Sequence, residues 1–337
     1  MKAIVQRRYG SPGDLELQEV PIPAVGDDDV LVRVRTASLH PDVWHVVTGR
    51  PYVLRLMGGG FLRPKQTVPG TDMAGVVERV GRNVTTFRPG DEVFGETSRG
   101  HPWMNGGAYA EYAAVPADLL ALKPAHVTFE QAASVPTSGF IALFNLRDPA
   151  LLGAGRSILI NGAGGGVGSL ALQLARAGGA HVTGVDSSRK LALMRALGAD
   201  AVIDYTEEDF TRRGVRYDLI VDVPGTRRFS DFKPALKPGG RYIPIGHEGY
   251  GRSGTRAFGL LPHFLTLMCL ARFVPQLRGR RLPAPSRHEA TARLRQLLEE
   301  GKVTPVIDST YPLEETRAAL RHMIEDELHG KVIITVA

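Results

Sequence analysis

Up to Leu122 the apolar positions come in short runs broken by turn residues. Lys2–Gln6 and Val30–Arg35 alternate in part between apolar and polar side chains, and Gly75–Gly81 is a β-branched run closed by glycines. Asp91–Gly95 and Ala108–Ala113 follow, with Pro23, Gly26, Pro69-Gly70 and Pro89-Gly90 as punctuation. Short runs at this spacing predict the strands of a barrel or sandwich.

The period changes after Lys123-Pro124. Ser157–Asn161 is a continuous apolar run, and Val167–Ala177 then carries apolar residues at helical spacing. His181–Val185 reads as a second strand and Lys190–Leu197 as a second helix. Ala201–Ile203, Asp218–Val221 and Arg241–Ile245 read as further strands. Strands alternating with helices predict right-handed βαβ units and a parallel sheet. Such a sheet is covered on both faces, so its strands are apolar throughout, as these are. Near the C-terminus Thr304–Ile307, a short helix from Leu313, and Lys331–Thr335 read as strand, helix and strand that rejoin the first domain. The fold class expected is α/β. A doubly wound, Rossmann-type parallel-sheet domain over 123–300 accompanies a β-rich domain built from 1–122 and 301–337.

Composition narrows the picture. A length of 337 residues suits two domains, and 43% hydrophobic against 23% charged residues excludes a disordered or fibrous chain. The lone Cys269 excludes an intramolecular disulfide and a four-cysteine zinc site. With no base beside it, Cys269 reads as a buried, inert thiol. No apolar core of roughly 7–15 residues follows Met1, so a secretory signal is not expected. The longest apolar run, Ala257–Ala271, is interrupted by Pro262 and His263 and is shorter than the ~20 residues that span a bilayer. It reads as a core helix, with a cover for the active site or a dimer surface as the alternatives. A reducing cytoplasm is expected. The net charge of +6 is dispersed, and Arg278–Arg281 is the densest basic cluster. It reads as a solvated surface, and nucleic acid is not an expected partner.

Glycine is in excess, 39 residues in all, and one stretch explains part of it. Ile160-Asn161-Gly162-Ala163-Gly164-Gly165-Gly166-Val167-Gly168 follows a strand and opens a helix. Ala163, Gly165 and Gly168 fill a dinucleotide fingerprint as A-x-G-x-x-G, and Gly164, Gly166 and Val167 complete the turn. The first position needs a small residue for the tight turn. The second lets the main chain meet a pyrophosphate, and the third lets helix and strand pack closely. The helix N-terminus offers free N–H groups and a positive dipole end to phosphate. Asp186 ends the second strand 18 residues after Gly168, where a carboxylate ordinarily binds the ribose 2′-hydroxyl of NAD. Ser187, Ser188, Arg189 and Lys190 follow, and their hydroxyls and cations suit a 2′-phosphate instead. These residues leave both cofactors open.

Taken with that turn, the segments Val68–Gly75, Phe87–Gly95, Gly107–Tyr112, Leu197–Tyr205 and Gly330–Ile333 resemble the medium-chain dehydrogenase/reductase superfamily. The chain is most similar to its zinc-independent, zeta-crystallin-like quinone oxidoreductase branch, over nearly its whole length. The resemblance implies a GroES-like β-rich catalytic domain from both chain ends, a Rossmann domain between them, and an active site in the cleft. It implies that Lys190 and Tyr205 clamp a 2′-phosphate, with Ser187 and Arg189 beside them, and it adds Gly246 and Lys331 to the cofactor positions. Asp186 departs from that pattern. NADPH is the expected cofactor and NADH the alternative. A homodimer is also implied.

Zinc-dependent relatives hold their catalytic metal at positions that match His40, Thr71 and Ser134. One histidine does not make the three protein ligands that such a zinc needs, and His45 brings no third. No metal is therefore expected. Without a Lewis acid, reduction of a quinone or an α,β-unsaturated carbonyl is favoured over alcohol oxidation. The oxyanion that develops needs a hydrogen-bond donor. Many relatives carry asparagine where this chain has His40, which makes His40 the leading donor or proton source. Tyr52 and His45 stand behind it. Trp44 and Phe61 read as core, Asp222 as a turn residue. The 98–107 loop, with His101, Trp103 and Asn105, reads as either a lid or a plain surface loop. The alternatives are a zinc-independent alcohol dehydrogenase and a non-catalytic, crystallin-like protein that binds NADPH or RNA. Metal analysis of the purified protein is expected to find far less than one zinc per chain, and a value near one overturns the metal-free reading.

Overall fold

The computed structural model describes residues 1–98, 106–246, 256–280 and 282–336. Its strands are β1 (Lys2–Val5), β2 (Glu16–Glu19), β3 (Asp29–Ser38), β4 (Asp72–Val80), β5 (Glu92–Glu96), β6 (Tyr112–Pro116) and β7 (Leu120–Leu122). They continue with β8 (Ser157–Asn161), β9 (His181–Asp186), β10 (Ala201–Asp204), β11 (Tyr217–Asp222), β12 (Leu236–Pro244), β13 (Ile307–Pro312) and β14 (Lys331–Thr335). The chain packs as two compact units, 1–140 with 286–301 and 305–337, and 141–285 with 302–304.

The β-rich unit is organised around β3. This strand pairs antiparallel with β4, β6 and β14, and the sheet runs β13-β14-β3-β4-β5-β7. Val30, Val32, Val34, Phe94, Val115, Ile333 and Ile334 form its interior. The C-terminal strand thus lies in the N-terminal sheet, with Ile333 opposite Ser38. Two elements shift from the expected positions. Ala108–Ala110 is buried but lies outside the strands, because Ala108 and Tyr109 donate to the carbonyls of Gly70 and Pro69 rather than to a ladder. Similarly, β13 begins at Ile307, not Thr304. The stretches 123–140 and 286–300 pack with this unit rather than with the α/β unit. Leu294 lies so close to Gly139 that a Cβ there would come within 2.4 Å of its methyl, and His288 Nδ1 lies 3.0 Å from the Asp118 carbonyl oxygen. Trp44 is buried as expected, whereas Phe61 is 67% exposed and is not core.

The α/β unit is a five-stranded parallel sheet in the order β10-β9-β8-β11-β12. Helix Gly166–Ala177 follows β8, and helix Leu191–Ala196 follows β9. Leu159, Val185, Ile203, Phe210, Ile220, Phe232 and Tyr242 belong to one buried cluster. The chain reverses its direction across the sheet between β8 and β11, and ligands of such sheets bind at the carboxyl ends of those strands. Within Ala257–Ala271 the helix is Leu261–Leu270, and it is not a core helix. Only Leu267 reaches the core, while Leu265 and Met268 are exposed. Cys269 is exposed too, so the buried thiol read from the sequence is corrected. The reason is geometric: the helix is apolar all round but covers the unit with one face. His101, Trp103 and Asn105 lie outside the described residues. Among the described residues, no helix is long and apolar enough to cross a membrane.

One ionisable contact fastens the end of the β-rich unit. His322 Nε2 lies 2.8 Å from Asp308 Oδ2 and its Nδ1 2.7 Å from Asp326 Oδ2. The Asp308 hydrogen bond raises the imidazole pKa above its ordinary value; burial opposes it, and the Asp326 hydrogen bond adds to the rise. A raised folded-state pKa stabilises fully below the unfolded value near 6.5, and the gain fades as pH rises through the folded value. His322→Ala is therefore expected to lower the free energy of unfolding in urea most near pH 5.5 and least near pH 9, by up to ~1 kcal/mol.

Candidate functional site

Strand β8 delivers the chain into a clamped turn. The N–H groups of Gly162 and Ala163 both donate to the Val185 carbonyl, at 2.8 and 3.1 Å, which ties the turn to the end of β9. Gly162 has φ of 80°, a conformation that favours glycine, and its carbonyl accepts the Gly165 N–H at 3.2 Å. The Ser169 N–H donates to Gly165 O at 2.9 Å, so Gly166, Val167 and Gly168 hold the leading N–H groups of the helix.

The glycines of this turn answer to different demands. A Cβ on Gly168 would lie 2.0 Å from the Gly162 carbonyl oxygen, so close packing alone excludes one. A Cβ on Gly164 would lie 2.6 Å from Lys190 Cδ and 3.1 Å from Asp186 Oδ2. On Gly165 it would meet nothing nearer than Gly162 O at 3.5 Å, an ordinary contact. Nothing within the fold requires glycine at 165.

Asp186 is 5% exposed and directs its carboxylate inward. Oδ2 accepts the Gly164 N–H at 2.8 Å, and Oδ1 accepts the Ser187 N–H at 3.0 Å while lying 3.1 Å from Lys190 Nζ. The side chain therefore braces the turn. Ser187 is buried, Arg189 exposed, and Tyr205 is 48% exposed with its N–H on the Asp186 carbonyl. Asp186, Ser187, Arg189, Lys190 and Tyr205 thus gather at the carboxyl ends of β9 and β10.

Asp222 is more than a turn residue. It is fully buried, and it accepts hydrogen bonds from Asn161 Nδ2 at 2.8 Å, Tyr242 Oη at 2.7 Å and the Gly225 N–H at 3.3 Å. Burial raises its pKa, opposed by the Tyr242 and Asn161 bonds, and burial likewise pushes the Tyr242 hydroxyl far above its ordinary value. Gly246 (φ 74°) donates to Val223 O and lies so near Gly225 that a Cβ there would be 2.4 Å away. The ends of β8, β11 and β12 are fixed together by this network. Asn161 and Tyr242 were missed from the sequence. The available signal was a lone polar residue closing an apolar strand run, as Asn161 and Asp222 both do.

In the β-rich unit His40 is the N-cap of helix Pro41–Thr48. Its Nδ1 accepts the Asp42 N–H at 3.3 Å and lies 2.9 Å from Asp42 Oδ2, with both side chains about fully buried (2% and 3% exposed). Asp72 is also fully buried. Its carboxylate accepts from Ser38 Oγ at 3.3 Å and from Thr137 N–H and Oγ1, and it lies 3.8 Å from Lys331 Nζ. Burial lowers the Lys331 pKa while Asp72 and Asp42 oppose this. Arg287 pairs with Glu96 and stacks over Phe140. Burial lowers its pKa as well, again opposed by Asp72 and Asp42. Lys331, a cofactor position by resemblance, is thus engaged in a buried ion pair of the β-rich unit, because β14 begins beside Asp72. Tyr52 is 43% exposed with its ring under the Arg55 guanidinium at 4.6 Å. His45 Nδ1 is held at 2.7 Å from Arg50 O, and burial lowers its pKa. Among the described residues, no three His, Cys, Asp or Glu side chains gather as a metal would require.

Known proteins share this organisation. Residues 26–125 match the alcohol dehydrogenase GroES-like domain, and residues 197–334 match the family described as zinc-binding dehydrogenase. A chloroplast envelope quinone oxidoreductase homolog of Arabidopsis thaliana is 33% identical over 99% of this chain and 98% of its own. An NADPH-dependent alkenal/one oxidoreductase of the same plant is 33% identical over 99% of this chain and 79% of its own. The structure of the quinone oxidoreductase from Coxiella burnetii superposes with a TM-score of 0.80 at 28% identity, over 100% of this chain and 99% of that one.

The two fingerprint glycines separate packing from ligand demands. Gly168→Ala is expected to cost ~1–3 kcal/mol in denaturant unfolding, since backbone must move. Gly165→Ala, at a helix N-cap with open space, is expected to cost at most ~1 kcal/mol.

Proposed function

The chain belongs to the quinone oxidoreductase branch of the medium-chain dehydrogenase/reductase family, and from that premise we propose that it reduces quinones or α,β-unsaturated carbonyls with NADPH and without a metal. The observation that carries the cofactor reading is Gly165, a glycine the fold does not require at the start of a helix. A pyrophosphate approaching the main chain supplies the missing reason. Gly164–Gly168, with Ala163 beneath them, would hold it.

Ser187, Arg189, Lys190 and Tyr205 would receive the 2′-phosphate, and Gly246 follows β12 at the carboxyl end of the opposite edge strand. The Asp186 carboxylate already takes two N–H groups and an ammonium, which favours a bracing role over ribose recognition. The NADPH-dependent relative supports the same choice. A carboxylate at the end of β9 is nevertheless the feature that favours the second reading, NADH as donor or NAD-linked alcohol oxidation.

Bound NADPH supplies a hydride. The residues of this chain have the remaining tasks, which are to orient the acceptor and to stabilise the charge that develops on its oxygen. His40 is the donor we assign to that oxygen, and Tyr52 is the second candidate. The donor set at the positions where relatives hold zinc does not suit the metal. It consists of one imidazole beside Asp42, the Thr71 hydroxyl donating to Asp72, and the Ser134 hydroxyl donating to Gln131 O. The exposed Leu265 and Met268 support a homodimer, and an exposed, unbridged Cys269 suits the cytoplasm.

Oxidation of NADPH and NADH, followed separately with 1,4-benzoquinone, 9,10-phenanthrenequinone and 2-hexenal, tests the assignment. Turnover with at least one acceptor and a preference for NADPH are expected. A preference for NADH above tenfold would show that Asp186 governs the pocket. Cofactor binding without turnover of any acceptor favours the non-catalytic alternative.

A further inference from the structure

The carboxylates of the chain leave one long gap. Residues 249–288 hold seven arginines and no Asp or Glu, one charge more than the +6 of the whole protein. The basic excess is dispersed only when the cations are followed alone; set against the carboxylates, it is concentrated here. Two of the seven have carboxylate partners, since Arg287 pairs with Glu96 and Arg280 lies 3.5 Å from Asp148. Arg256, Arg272 and Arg278 are exposed and enter no ion pair among the described residues.

The same stretch leaves apolar surface in water. Helix Leu261–Leu270 turns Leu267 into the core of the α/β unit. Leu261, Leu265 and Met268, spaced i, i+4, i+7, share another face and are exposed, Met268 at 69%. Phe258 precedes the helix and Phe273 follows it, both exposed, Phe273 at 81%. Arg256 stands before the first and Arg272 beside the second. Just beyond the helix, Arg278 Nε donates to Ala271 O at 2.8 Å. An apolar stripe with aromatic and basic residues at both ends is the pattern of a helix lying in a membrane interface. At about 15 Å this helix is too short to cross the bilayer.

We propose that this face docks the protein on an anionic membrane surface. The stripe of Leu261, Leu265 and Met268 enters the headgroup region, and Arg256, Arg272 and Arg278 meet lipid phosphates. Leu265 and Met268 would suit a second copy as well as a lipid, and the charge separates the two occupants. A twofold contact sets one patch against itself, so arginines would face arginines with no carboxylate in the stretch to pair them. Anionic lipid supplies the missing charge. The docking is independent of the reduction assigned above.

The test is sedimentation of the full chain with two kinds of vesicle, phosphatidylcholine alone and equal parts phosphatidylcholine and phosphatidylglycerol. Binding to the anionic vesicles only is expected, with its loss at about 0.5 M salt, where charges are strongly screened. Arg256→Glu/Arg272→Glu, which breaks no ion pair among the described residues, should weaken binding at least about twentyfold, at about fivefold per cation. Leu265→Ser/Met268→Ser should weaken it as well. Leu56→Ser/Leu62→Ser, at exposed apolar residues of the β-rich unit, should leave it unchanged. The lone Cys269 is exposed on the same helix, so an environment-sensitive maleimide fluorophore can be placed there in the unmutated chain. Its emission should shift to the blue on anionic vesicles, and this readout decides should a variant fail to fold. Equal sedimentation with both kinds of vesicle, or no emission shift in the bound chain, overturns the proposal. So does binding that the arginine and Leu265/Met268 variants leave intact. Absence of vesicle binding overturns it too, and if Leu265→Ser/Met268→Ser then turns a dimer into a monomer in analytical ultracentrifugation, the face belongs to a second copy.

Discussion

The burial of the Asp72 carboxylate is the constraint on which the β-rich unit depends. A charge with no exposure survives there only with a full set of partners, and these come from four places in the chain. Ser38 ends β3, Thr71 precedes β4, Thr137 opens helix Pro136–Asn145, and Lys331 begins β14. Each partner must arrive for the others to be tolerable, because breaking a buried pair strands a charge at a cost of ~3–5 kcal/mol. The pairing of the C-terminal strand with β3 is therefore an electrostatic requirement as well as a hydrophobic one. It also explains why Lys331 serves this unit: its ammonium has been drawn inside by Asp72.

The α/β unit follows the same logic with different residues. Asp186 and Asp222 close β9 and β11, and both direct their carboxylates inward onto main-chain N–H groups. Asp186 holds the glycine turn against β9, while Asp222 joins the ends of β8 and β12 through Asn161 and Tyr242. The carboxyl ends of the strands are thereby braced by the chain's own hydrogen bonds. A preorganised site avoids the entropy of ordering loops on binding.

Much of this was legible in the residues. Ser157–Asn161 and Lys331–Thr335 match their strands residue for residue, since an uninterrupted apolar run between turn signals is hard to place elsewhere. The glycine turn was legible because its strand and helix flank it. What failed depended on partners distant in sequence. Ala108–Ala110 has the composition of a strand, but its N–H groups meet a loop about forty residues earlier, and pattern alone does not register that. Cys269 sits in an apolar run that nothing covers. Asp222 read as a turn residue and Asp72 was not singled out, because their importance lies in 20- to 259-residue separations from Tyr242 and Lys331.

The contrast among the glycines of one turn shows how a fold declares a ligand. Gly168 and Gly164 are explained once their neighbours are known, since main chain and side chains occupy the space a Cβ would need. Gly165 is not explained this way, because the space above it is open to an ordinary methyl. A residue whose identity the protein's own packing leaves unexplained points to something the protein meets. The same reasoning applies to His40. A helix N-cap is served as well by Ser, Thr, Asn or Asp, all smaller and cheaper to bury, so capping alone does not account for a histidine.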